Sequence, residues 1–144
     1  MTISGKENLR TAKERRMKRQ KVTVTNNWGS AIGYSRAVRA GNTIVVSGTS
    51  ASGPNGVLHP GDAEGQAIVV LERIGAALRQ LDASIEDVVE TRIFLRDMKD
   101  WEAVGRAHGA VFGDVRPATT MVQAGALIDD SLLVEIAATA ILAS

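Results

Sequence analysis

Residues 116–142 read RPATTMVQAGALIDDSLLVEIAATAIL. Two strands joined by a loop fit this stretch, and the second runs from Leu132 to Leu142 with Glu135 as its one ionisable group. Side chains on a strand alternate between faces. Leu132, Val134, Ile136, Ala138, Ala140 and Leu142 form a uniformly apolar face that belongs in a core. Leu133, Glu135, Ala137, Thr139 and Ile141 form a mixed face suited to a ligand or another subunit. Withdrawing a carboxylate from water is costly unless it is paired or hydrogen-bonded. Chemistry is therefore expected around Glu135, beside the strand that carries Thr119, Thr120 and Gln123, with Met121 among the candidate binding residues.

Upstream of that stretch, Val88–Arg96 alternates in the same way. Val89, Thr91, Ile93 and Leu95 fall on one side; Val88, Glu90, Arg92, Phe94 and Arg96 fall on the other. Two helices frame this strand. Asp62 is placed to cap the first, whose Ala67, Leu71, Ile74, Leu78 and Leu81 make one apolar stripe. Asp100 is placed to cap the second, lined by Trp101, Val104, His108, Val111 and Phe112. Nearer the N-terminus, Tyr34–Ala40 and Thr43–Thr49 flank Gly41-Asn42, a two-residue hairpin signal. VTVT at 22–25 suits a short edge strand, and the Gly- and Pro-rich 50–61 suits a surface loop. The order β-β-β-α-β-α-β-β leaves one sheet face without helices. That face, with Glu135 and Arg92, is too apolar for water and marks an oligomer contact.

The 144 residues make one domain, here divided into a basic arm at 1–21 and a folded part at 22–144. Lys6, Arg10, Lys13, Arg15, Arg16, Lys18, Arg19 and Lys21 face only Glu7 and Glu14, whereas the rest of the chain is net acidic. Such an arm can touch nucleic acid, but it lacks an aromatic to stack on bases and reads more simply as a solvated tail. No run reaches the length of a membrane span and no signal sequence opens the chain, so the expectation is a cytoplasmic protein without membrane contact. There is no cysteine and there are only two histidines, His59 and His108, which excludes thiolate chemistry and a His-rich zinc site. His108 lies on a helix stripe and reads as a packed core residue. No phosphate-binding glycine motif occurs. What remains is one carboxylate, hydroxyls and arginines, a set suited to proton transfer or binding without a cofactor.

YSRAVRAGNTIVVSGT (34–49), AALRQLDASIEDVVETRIFLRDM (76–98), PATTMV (117–122) and LVEIAATAI (133–141) together resemble the RidA/YjgF family of enamine/imine deaminases, also called the L-PSP endoribonuclease family. The resemblance implies a chorismate-mutase-like α+β fold, with a six-stranded mixed sheet packed by two helices. It also implies a homotrimer with three clefts between subunits, and hydrolysis of reactive enamines and imines such as 2-aminoacrylate without a cofactor or metal. By motif, Tyr34, Ser47 and Gly48 match cleft residues, and Glu135 matches the acid that handles the attacking water. The alternative for Glu135 is a structural pair with an arginine across the interface. Thr119 stands where family deaminases carry the arginine that clamps the substrate carboxylate, and Ala137 replaces a second late acidic residue. A hydroxyl cannot form that bidentate charged pair. Arg36, on the side of Tyr34, and Arg92, on the mixed face, are the candidate replacements. The expected substrate is thus an enamine or imine other than 2-aminoacrylate. A non-catalytic metabolite-binding trimer and an RNA-cleaving protein are the alternatives.

Overall fold

A computed structural model describes residues 18–24 and 28–144. Eight strands and two helices follow in the order β1 (Arg19–Val22), β2 (Ala37–Ala40), β3 (Thr43–Thr49), β4 (Ser52–Gly53), β5 (Gly56–Val57), α1 (Ala63–Gln80), β6 (Val88–Leu95), α2 (Trp101–Phe112), β7 (Ala118–Gln123) and β8 (Val134–Ile141). Six of the strands form one mixed sheet in the order β1-β2-β3-β8-β6-β7. All neighbours run antiparallel except β6 and β7. The expected α+β architecture is the one observed. The 50–61 loop differs in carrying the small β4–β5 hairpin.

Alternation decides which face is covered. Val134, Ile136, Ala138 and Ala140 of β8 join Ile44 and Val46 of β3 beneath the helices, all buried. The stripe Ala67, Leu71, Ile74 and Leu78 of α1, with Leu81 just past its end, is buried against them, and Asp62 caps α1 through Gly65 N at 2.9 Å. Each such valine, leucine or isoleucine side chain stabilises the fold by about 1.5–3 kcal/mol relative to exposure. On α2 the stripe is Val104, Ala107 and Phe112, while Trp101 and Val111 face solvent. Spacings of three and five keep that stripe narrow, and the helix packs on α1 and reaches Thr91 of β6 through His108. Asp100 makes no side-chain cap; Asp97 instead accepts from Lys99 N in the turn that leads into α2.

Two local expectations shift. The first strand lies at Arg19–Val22, earlier than VTVT, because pairing with β2 sets Val22 opposite Ala37 in the core. Its charged residues suit an edge strand, where they discourage further pairing. In β6 an irregularity between Val88 and Glu90 inverts the alternation, so Val88 is buried and Val89 is 43% exposed. Residues 1–17, with most of the basic arm, lie outside the described residues. β7, at the opposite edge, carries no charged residue and is largely exposed.

Candidate functional site

The helix-free face presents Glu135, Ala137, Thr139 and Ile141 of β8, flanked by Val45 of β3 and by Arg92 and Phe94 of β6. Val45, Val122 and Ile141 on this side are between 41% and 51% exposed, so it is an apolar surface with a carboxylate set into it. Glu135 itself is half-buried.

An irregularity in β3 builds the surroundings of Glu135. The β3–β8 register runs from Val46 opposite Ala138 to Thr49 opposite Ile136, which leaves Ser47 and Gly48 in a bulge. Bulges re-aim side chains and commonly sit beside active sites. At Gly48 the absence of a side chain makes room for the acid. A Cβ placed there would stand 2.9 Å from Glu135 Oε1 and 3.0 Å from its Cδ.

Arg36 enters from the neighbouring chain segment. Its N–H donates to Val22 O at 2.7 Å and its carbonyl accepts from Ser47 N at 3.0 Å, which extends the β2 pairing by one residue. Ala37 points into the core, so Arg36 points to the face of Glu135. Its Nη2 donates to Ser47 Oγ and to Gly48 O, and its guanidinium lies 6.0 Å from the centre of the Tyr34 ring. The Ser47 hydroxyl lies within reach of Ser35 O at 3.2 Å and of Arg36 O at 3.0 Å, so its own proton stays within the chain. Burial pushes the Arg36 guanidinium below its ordinary range; Tyr34 and Glu135 oppose that shift and Arg73 adds to it.

The structure thus gathers Tyr34, Arg36, Ser47, Gly48 and Glu135 around one bulge. It does not gather all the residues singled out by sequence. Arg92 shares the face of Glu135 but pairs with Glu90 at 2.9 Å. Thr120, opposite Arg92, is on the same face two strands away, roughly 10 Å across the sheet. Thr119 and Met121 point to the other side. The Thr119 hydroxyl bonds to Thr91 Oγ1 at 2.8 Å, and Thr91 Oγ1 bonds in turn to His108 Nε2 at 2.9 Å. Met121 packs against the helix-covered core. Arg116 precedes β7 with a left-handed φ of 52°, so strand alternation does not extend to it. Among the described residues, no group of three acidic or histidine side chains is placed to hold a metal ion.

Burial holds the His108 imidazole below its ordinary value of 6.5. The unfolded chain therefore takes up the proton more readily, and stability is lost as pH falls from about 6.5 toward the lowered folded value. The melting midpoint should fall between about pH 7.5 and pH 5.5, and His108→Gln should flatten that fall. An unchanged slope in the variant would assign it to other groups.

Comparison with known proteins agrees with the fold. The family model described as Endoribonuclease L-PSP matches residues 24–142. The 3-aminoacrylate deaminase RutC of Acinetobacter baylyi is 39% identical over 108 residues, which span 74% of this chain and 85% of that protein. An uncharacterised protein of Streptomyces coelicolor is 36% identical over 109 residues, 76% of this chain and 81% of the relative. Among solved structures, a YjgF-family protein from Mycobacterium tuberculosis is 44% identical. Its TM-score is 0.79, over 87% of this chain and all of that one.

Proposed function

The chain belongs to the L-PSP endoribonuclease family, the RidA/YjgF family, and from that premise we propose that it hydrolyses a reactive enamine or imine without a cofactor. The observation that carries this reading is the placement of Glu135, half-buried on an apolar face and seated against the backbone of Gly48. Water attacking a C=N carbon must lose a proton, and the departing nitrogen must gain one. A carboxylate partly withdrawn from water can take the first and return it to the nitrogen, releasing ammonia and leaving a carbonyl. Similarity to a 3-aminoacrylate deaminase supports the same reaction class. Tyr34 and the Ser47–Gly48 bulge line the site on one side of Glu135, and Thr120 and Arg92 share its face further across the sheet.

The active form in this reading is a homotrimer, which covers the apolar face around Val45, Val122 and Ile141 and turns it into clefts between subunits. The test combines mass with turnover. Light scattering should give about three times the 15.3 kDa chain mass, and ammonia should be released from at least one member of a panel of imines generated in situ. A stable monomer would sink the shared-cleft arrangement. Saturable binding of panel members with no ammonia from any would instead assign the site to metabolite binding.

A further inference from the structure

Among the described residues, Arg36 is a half-buried cation that forms no ion pair. Its hydrogen-bond acceptors, Ser47 Oγ and Gly48 O, are both neutral, and both engage Nη2. Its Nε is buried with no partner, and no carboxylate among the described residues lies within ion-pair distance. A desolvated guanidinium left in this state is unfavourable unless an anion completes it. The contrast with Arg92 is direct, since Arg92 is exposed and already neutralised by Glu90. Residue 119, where the resemblance implies an anion-binding arginine, is a threonine whose hydroxyl is committed to Thr91 on the helix side.

We propose that Arg36 is the specificity-determining cation of this site and selects small substrates that carry a carboxylate close to the C=N group. The proposal rests on the hydrolase reading for the C=N group, but the anion site stands on the geometry alone. Gly48 lies between the two charges. Its carbonyl accepts from Arg36, and its Cα faces the Glu135 carboxylate. The anionic group and the reacting carbon must therefore be within a few bonds of each other. The anion is also held from the β2–β3 side of Glu135, away from residue 119 on the far edge of the sheet.

The test uses propanoate and its uncharged isostere propanamide, titrated into the ¹⁵N-labelled full-length protein. The reporters are the Arg36 Nε–H resonance, assigned by its loss in Arg36→Lys, and the Gly48 backbone amide. Propanoate should shift both in the wild type and propanamide neither. Arg36→Lys and Arg36→Gln should weaken propanoate binding ten- to a hundred-fold, the range of one charged hydrogen bond. Equal affinity for acid and amide overturns the proposal without any variant, as does an absence of shifts with either ligand. Unweakened binding in folded Arg36→Lys also overturns it, and a larger loss in Arg92→Gln transfers the role to Arg92. Arg36-dependent propanoate binding with no ammonia from any imine would leave this site standing and remove the hydrolase reading. Hydrolysis of charged and neutral imines alike, insensitive to Arg36, would do the reverse.

Discussion

Glu135→Gln should leave the fold and assembly intact and lower imine hydrolysis by about 10²–10⁴, the usual contribution of a general acid–base group. The substitution keeps size and hydrogen-bonding shape but removes the group that accepts a proton from water. The side chain is half-buried and has no ion-pair partner among the described residues, so its loss as a charge strands no cation within ion-pair distance among them. Ammonia release and light scattering on the same sample separate the outcomes. Full activity would make the residue structural. Dissociation of the assembly would show that the carboxylate pairs across an interface.

Gly48→Ala should produce a loss of the same order as misplacing a catalytic group, about 10² in kcat/KM, with little change in melting temperature. Gly48 is not in the left-handed region, so alanine fits the backbone there. The difficulty is the methyl group, 2.9 Å from Glu135 Oε1, which forces the carboxylate to swing away. If displacement of that one group is the whole effect, the double variant with Glu135→Gln should be scarcely worse than Glu135→Gln alone. Additive losses would mean that Gly48 serves the site in another way, through its carbonyl and Arg36. Normal activity in Gly48→Ala would show that the position of the acid is not critical.

Most of the fold was legible because its signals are local. The Gly41-Asn42 hairpin, the α1 stripe and the apolar run of β8 each declare themselves within a few residues, and neighbouring strands merely agree with them. The two irregularities, at Ser47–Gly48 and at Val89, are not local. Each exists only because two strands of fixed register disagree by a residue, and alternation read along one strand cannot show it. Alternation alone therefore puts Val89 in the core and Val88 out of it, the reverse of their burial.

The site was legible in the same measure. Alternation placed Tyr34 and Arg36 on one side and Glu135 on an open face. Their convergence depends on the bulge, which brings Ser47 Oγ and Gly48 O to the guanidinium. Thr119 needed yet more context. The side of an edge strand that meets the helices follows from its parallel register with β6, which sets Thr119 beside buried Thr91. The motif alone put Thr119 in the cleft, and only that register shows its hydroxyl bonded away from Glu135.

The two outer strands of the sheet have opposite consequences for a newly made chain. β1 is guarded by Arg19 and Lys21, whereas ATTMVQ in β7 offers a row of backbone donors and acceptors with no charge to repel a passing strand. A single chain is thus sticky at one rim. Newly made chains meet rim to rim more often the more concentrated they are, and partly folded ones are captured most readily. Making this protein in abundance should accordingly leave a larger insoluble fraction than making it at low level, and a lysine introduced into β7 should narrow the gap.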